Sequence, residues 1–589
     1  MSFIRKHAAA LALLSALLLC IAAPYLIPAN PDSAVFRSGT LGAILVAACI
    51  VPVRDTFTHA DRRQLTAGLV FGFLFASALS IGSELFVYDG LLRGMDSLVR
   101  RLAVPVIAAP LLGGLSARAL MLRIPQEKKT LSLPIWSYTA VIFLCWLPVL
   151  LAFFPGMLNY DFAGQYAQHV DKAYSALHPL LYSVLSNGII SLGEKIQSPT
   201  LGVLLLSVIQ MALFAGALGY SCSFAQKHGA PRWVLVLLTA FYALHPIFAA
   251  MSVSMTKDTL FAAAVLVFSL ESWSMLEDTQ AFFESRWRLA FYVLLGIVTA
   301  LFRKNGVFAL LMMLPTLLVV LHGFRKQAAV LFGALVLCIA LIDGSLTMIL
   351  QPESTTSFQL YSLPAQQLVR AAQNMSEEDR AEIRSWYVSD EGMIVHPHLA
   401  DGAKGYLDRE RIQTDGTSFL KLWGKHAGTH AHEYFEAFLM LNVGSWYPDD
   451  LSHSNVYDNY VWNDLGYLQL QEQEDPYEAF GIQTRSFLPS VTTLYERICR
   501  RNYYQKYPII SILFCPATPF WMLLFACAQL IVRKKRRFLP AALGAFGLWL
   551  SYLFGPCTLV RYALPLFCLA PVLLIISFTA HLEKETTHA

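Results

Sequence analysis

Residues 201–220 read LGVLLLSVIQMALFAGALGY, twenty positions without a charge. At a helical rise of ~1.5 Å per residue this run is about 30 Å long, the thickness of a bilayer's hydrocarbon core. Working outward, comparable runs recur at 8–29, 102–115, 328–342 and 539–554. Across 589 residues, 56% are apolar and only 14% charged, and mean hydropathy is +0.51. A soluble chain of this length needs far more charge to cover its surface. The composition therefore points to an all-α polytopic membrane protein.

Hydropathy and its interruptions predict about fourteen transmembrane helices. They fall near 8–29, 38–53, 66–86, 102–121, 134–154, 200–222, 233–250, 258–275, 288–302, 306–322, 327–350, 508–532, 538–555 and 562–580. Arg5 and Lys6 precede the first run, but no small-residue cleavage site follows it, so it is expected to remain as a helix. With the N-terminus inside, cytoplasmic segments carry 21 Lys and Arg and short outer segments 10. This bias favours a multi-pass protein of the cell membrane with both termini cytoplasmic.

The same topology places 351–507 outside as a mostly helical soluble domain. It carries 13 basic and 22 acidic residues, the wrong balance for a nucleic-acid partner. Ser376-Glu377-Glu378-Asp379 reads as a helix start within it. The expected organisation is N-terminal membrane helices over 1–133, a membrane core over 134–350 with an outer loop at 155–199, the outer domain over 351–507, and C-terminal helices over 508–589. The ten cysteines lie mostly in apolar runs and imply no disulfide framework. No phosphate loop or dinucleotide fingerprint is present.

Charges at membrane depth are costly and tend to mark sites or pathways. Four outer segments carry them: FPGMLNYD at 154–161 followed by Gln165 and His178, TKD at 256–258, RKNG at 303–306, and RY at 561–562. Pro155 and Gly156 end a membrane helix, so that Asp161 is presented just above the bilayer. Such short outer loops have no need of cations, and the charge rule disfavours them there. Asp161 and Asp258 could activate a hydroxyl or hold a divalent metal; Lys257, Arg303, Lys304 and Arg561 could bind a phosphate leaving group. Outside a membrane, nucleotide-activated donors are generally lacking, so a donor carried on a lipid phosphate is the natural substrate. The alternative reading has Asp161 capping a helix and the cations snorkelling at the interface.

These motifs, together with LPAQQLVR at 363–370 and RYALP at 561–565, resemble an uncharacterised family of bacterial polytopic proteins grouped with the GT-C glycosyltransferases. The resemblance covers about 135–580. It implies a GT-C-like helical core, an acidic residue in the first long outer loop, and a polyprenyl-phosphate-linked sugar as donor. It makes Asp161 the catalytic carboxylate, Asp258 a second acidic position able to carry a metal, and Arg303 and Arg561 the donor-phosphate ligands. Tyr160, Gln165, His178, Lys257, Lys304, Asn305 and Tyr562, from the same motifs, are assigned to substrate.

Other residues invite attention. His426, His430, His432 and Glu433 have metal-like spacing, though a solvated helix face has the same pattern. Trp446, Tyr447, Tyr457, Tyr460, Trp462 and Tyr467 could stack on sugars or form the outer domain's core. Glu84 and Asp343 interrupt apolar runs and either face a cavity or bond to neighbouring helices. Functionally, the expectation is a membrane glycosyltransferase moving a sugar from a polyprenyl phosphate to an extracytoplasmic acceptor. The alternatives are a transporter or flippase of lipid-linked glycans, and a non-catalytic assembly protein for envelope polysaccharide.

Overall fold

The structure is a computed structural model describing residues 1–26, 39–124, 133–158, 160–353, 356–448, 480–499 and 508–579. Among these the chain is helical, with four isolated β-bridges and no strands. Among the described residues, eight helices are long and apolar enough to cross a membrane: Ala8–Leu26, Arg62–Leu85, Met95–Met121, Ile135–Ala152, Pro199–Lys227, Lys257–Glu277, His322–Leu350 and Val560–Thr579. A ninth span would be the pair Arg232–Leu244 and Pro246–Val253, bent by 49°. The multi-pass class follows from these helices.

The other expected spans are helical: Gly39–His59 is continuous over 21 residues, and the rest are shorter or broken. Gly306–Val320 and Pro540–Tyr552 have 15 and 13 residues, about 20–22 Å of rise. The run at 508–532 is split into Pro508–Phe514 and Ala517–Val532. Proline explains both breaks, because the residue before it is pushed out of the helical region. His245 precedes Pro246 with ψ 123°, and Cys515 precedes Pro516.

Lys257–Glu277 forms the centre of the bundle, with 94% of its apolar window buried against 17% for the peripheral His322–Leu350. Tyr242 ties the interior together: its carbonyl accepts from Trp146 Nε1 at 3.2 Å and its hydroxyl donates to the Cys568 carbonyl at 2.7 Å. Each such interhelical bond contributes only about 0.6 kcal/mol on average, so close packing carries most of the association. The N-terminal helices illustrate it. Gly68 and Gly72, one turn apart on Arg62–Tyr88, lie against Gly113, and a Cβ on Gly72 would come within 2.3 Å of the Gly113 nitrogen. Only glycine permits two backbones to approach so closely.

A polar helical cap has its own core of Tyr361, Leu368, Ile383, Trp386, Phe419 and Tyr434. Its helix Glu377–Arg384 is capped by Ser376, whose Oγ accepts from Asp379 N, as the sequence suggests. Trp446 and Tyr447 do not join this core. Tyr447 packs with Leu85 and Met440, and the Trp446 carbonyl accepts from Trp521 Nε1 at 2.8 Å. Both thus seal the cap to the membrane helices. Tyr457, Tyr460, Trp462 and Tyr467 lie outside the described residues.

The N-terminal helices support this cap. The turn after Arg62–Tyr88 lies on Glu436, which accepts from Leu91 N and from Arg370 Nε, both at 2.6 Å. Arg370 also donates to the Asp89 carbonyl, and Arg93 pairs with Glu433. Glu84, fully buried, accepts from Leu92 N and pairs with Arg101 at 2.9 Å. Asp343 is exposed on its helix. At the opposite end, Arg533 donates to the Leu122 and Phe578 carbonyls, and His228 meets Glu277 at 3.0 Å.

Candidate functional site

Two loops are fastened side by side. Met157 N donates to the Val253 carbonyl at 2.8 Å and Met255 N to the Met157 carbonyl at 2.9 Å. From the helix between them, Ser207 Oγ donates to the Pro155 carbonyl, and Gln210 Nε2 to the Ser252 and Ser254 carbonyls. Gly156 leaves room for this bond, since a Cβ there would stand 2.4 Å from Ser207 Oγ and displace it. The fastening sets the N-termini of Tyr160–Asp171 and Lys257–Glu277 together, with Asp161 and Asp258 in their first turns. Carboxylates are favoured there by the helix dipole. Thr256 caps the second helix and also donates to Asp258 Oδ2 at 3.1 Å.

Three cations converge on these acids. Arg561 Nη1 stands 2.9 Å from Asp161 Oδ2 and 3.9 Å from Asp258 Oδ2. Lys257 Nζ reaches Asp161 Oδ2 at 3.2 Å, and Arg303 Nη1 donates to Asp258 Oδ1. The Arg303 guanidinium lies over the Tyr562 ring, 4.3 Å from its centroid. Asp258, Arg303 and Arg561 are all buried. Lys257 and Arg561 occupy first turns of their helices, where the dipole disfavours a cation. Their placement therefore works against local stability and depends on the paired carboxylates. Three cations against two carboxylates leave an excess of one positive charge, held where solvent screens it little.

The remaining predicted residues divide. Gln165 Nε2 meets His178 Nδ1 at 3.3 Å, both buried beside the acids. Asn305 Nδ2 donates to Ser551 Oγ at 3.0 Å and Lys304 Nζ to the Ala176 carbonyl, so these two sit at the rim. Asn159 and the Tyr160 side chain lie outside the described residues. The cluster lies at the cap end. Thr558, three residues before Arg561, donates to the Leu441 carbonyl, and Ala400 N donates to the Pro556 carbonyl.

Burial opposes ionisation of Asp161, but Lys257 and Arg561 together hold its carboxyl well below the usual range. Burial first, then Lys257, pushes the His178 imidazole down to about 4. An unfolded chain takes up a proton on this histidine near pH ~6.5 while the folded protein does not. Its contribution to stability is therefore intact above that pH and falls as pH drops toward 4. The expected outcome is a melting temperature that declines between pH 6.5 and 4.5, with a shallower decline for His178→Gln. Identical slopes for the two proteins would remove His178 from that titration.

The proposed metal ligands do not form one set. Glu433 is held by Arg93 and by Asn374 at 2.9 Å, while His430 Nδ1 is 3.9 Å from its second oxygen. His426 turns instead toward Asp379 at 3.8 Å. Asp379, Glu382 and His426 do approach ligand spacing, but Lys425 bridges both carboxylates. His432 Nε2 faces the Leu91 carbonyl at 3.0 Å and lies 3.8 Å from Glu436.

Sequence reasoning missed Ser207 and Gln210, polar residues three apart in the twenty-residue run, and the GLVFG stretch at 68–72. Both were legible, one as polar groups on a shared helix face and the other as a GxxxG packing motif.

Fold and site together define an all-helical multi-pass membrane protein with a buried two-acid, three-cation cluster at its capped end. The chain belongs to a family of unknown function (DUF6020), which matches residues 169–589. The matched region takes in His178, Lys257, Asp258, Arg303 and Arg561, and begins after Asp161 and Gln165. Comparison with curated proteins and with solved structures gives no match.

Proposed function

We propose that this protein is a cell-membrane glycosyltransferase of the GT-C type. It would move a sugar from a polyprenyl-phosphate-linked donor to an extracytoplasmic acceptor, such as a cell-envelope glycan, lipid or protein. The observation that carries this reading is the convergence of Asp161, Asp258, Lys257, Arg303 and Arg561 at the capped end. Its excess positive charge suits a phosphate, and Asp161, the more exposed of its two acids, suits a hydroxyl.

In the proposed reaction the acceptor oxygen attacks the anomeric carbon, its proton passes to Asp161, and the sugar–phosphate bond breaks. The phosphate leaves with the electron pair, neutralised by Arg561, Lys257 and Arg303. Paired as it is, Asp161 is a weak base. Donor phosphate competes for Lys257 and Arg561, and their withdrawal raises the basicity of Asp161 once substrate is in place. Asp258 orients Arg303; a divalent metal on Asp258 would have to displace that guanidinium.

Counting the six other helical segments as spans beside the eight long apolar helices gives the fourteen of a GT-C-like core with N-terminal additions. Both termini are then cytoplasmic and the cap external. The grouping of the basic ends around Leu122, Glu277 and Arg533, away from the cap, supports this. Reporter fusions are expected to read external near residue 400 and cytoplasmic at the C-terminus. A cytoplasmic signal at 400 overturns the sidedness and the reaction with it.

One observation favours a second reading, a transporter or flippase of lipid-linked glycans. The 49° break at His245–Pro246 is separated from Lys257 by the short helix Pro246–Val253, and broken helices near a charged site are frequent in transporters.

A further inference from the structure

At the end of the molecule away from the cap, helices Arg62–Tyr88 and Ala517–Val532 part to leave a groove of about 580 Å³. Its walls are apolar, with Phe71 and Leu74 from one helix and Leu524 and Ile531 from the other. Arg62, Arg63 and Arg536 close one end. All three are exposed, and among the described residues none has a carboxylate partner. The neighbouring Asp61 is already used: its Oδ1 accepts from Gln64 N at 2.8 Å as the helix cap.

The dimensions suit one leaflet. Arg62 and Leu74 are separated by twelve helical steps, about 18 Å, a little over half of a ~30 Å hydrocarbon core. Cations at one end and an uncharged trough below match the division of a phospholipid into headgroup and chain. Arginine is suited to phosphate, since its planar fork can bind two oxygens. The groove also lies at the joint between the N-terminal helices and the rest of the bundle, where Phe71 and Phe75 meet Trp521 edge-on. A molecule seated there would touch both sides of that joint.

We propose that this groove binds an anionic glycerophospholipid, with its phosphate on Arg62, Arg63 and Arg536 and an acyl chain between the two helices. The bound lipid fastens the N-terminal helices, and through them the cap, to the remainder of the bundle. Binding here is separate from the Asp161 cluster and does not depend on the glycosyltransferase reading.

The test is native mass spectrometry of full-length protein released from nanodiscs containing phosphatidylglycerol and phosphatidylcholine in equal amounts. Wild-type protein should retain phosphatidylglycerol in preference. R62Q/R63Q/R536Q should lower that retention at least about 10-fold, with its elution and circular dichroism unchanged. Leu74→Trp, which fills the trough and leaves the charges alone, should lower it as well. Added inorganic phosphate at millimolar concentration should not displace the lipid, because it lacks the chain. Equal retention of the two lipids by wild type, or undiminished phosphatidylglycerol on both variants, overturns the proposal. Displacement by inorganic phosphate alone would reduce the site to an anion site and overturn it too.

Discussion

Asp161→Asn is expected to abolish sugar transfer, lowering it at least ~100-fold, the low end for loss of a general base. The substitution keeps the shape of the side chain and one acceptor for Arg561, now 2.9 Å from Asp161 Oδ2. It removes the charge that neutralises Lys257 and Arg561, so the cluster becomes more positive. Donor binding should consequently be retained or tightened while transfer is lost. That division separates chemistry from architecture, because a purely structural acid would lose fold and binding together. Asp161→Glu should retain little activity, since a methylene shifts the oxygens by ~1 Å, enough to spoil a positioned attack. Wild-type turnover by the Asn variant would remove Asp161 from the reaction.

Arg561→Ala should have the next largest effect. Arg561 is the one cation of the cluster within 4 Å of both carboxylates. Its loss should cost donor use about 2–4 kcal/mol, by analogy with a lost oxyanion donor. Breaking a buried pair also destabilises, typically by ~3–5 kcal/mol, so the alanine variant alone is ambiguous. Arg561→Lys resolves it. A lysine restores the charge and hence the fold, but its ammonium lacks the planar pair of donors that can hold two phosphate oxygens, so donor use should recover only in part. Steady-state donor consumption beside a thermal melt checks both. Normal donor use by Arg561→Ala would make the residue an anchor and nothing more.

The membrane class was legible from the uncharged runs, and every segment expected to span among the described residues is helical. Their lengths were less legible. Hydropathy runs straight through His245–Pro246 and Cys515–Pro516, whereas the backbone breaks at both. Proline ends the helix at these two positions, yet Pro52, Pro110, Pro148 and Pro315 lie inside unbroken helices, so a proline alone does not locate a break.

The site was legible as a list and hidden as a constellation. Cations in short outer loops flagged Lys257, Arg303 and Arg561, but nothing local reports that Arg561 meets an acid 400 positions earlier. No cation lies within three residues of Asp161 in the sequence; the fold supplies Arg561 and Lys257. Likewise Glu433, spaced as a metal ligand from His430, is taken by Arg93 from a turn 340 residues away. Local spacing records what a helix face could do, and tertiary partners decide what it does. The N-terminal helices gave no sequence indication of purpose. Their contact with Glu436 and Arg370 makes them the support of the cap.

The most direct measurement is the fate of a radiolabelled polyprenyl-phosphate hexose given to purified protein in proteoliposomes. Label transferred to an acceptor, with lipid phosphate released in equal amount and both lost in Asp161→Asn, is the result expected of a glycosyltransferase. Intact donor appearing on the other leaflet, with no label transferred by wild type, would contradict it.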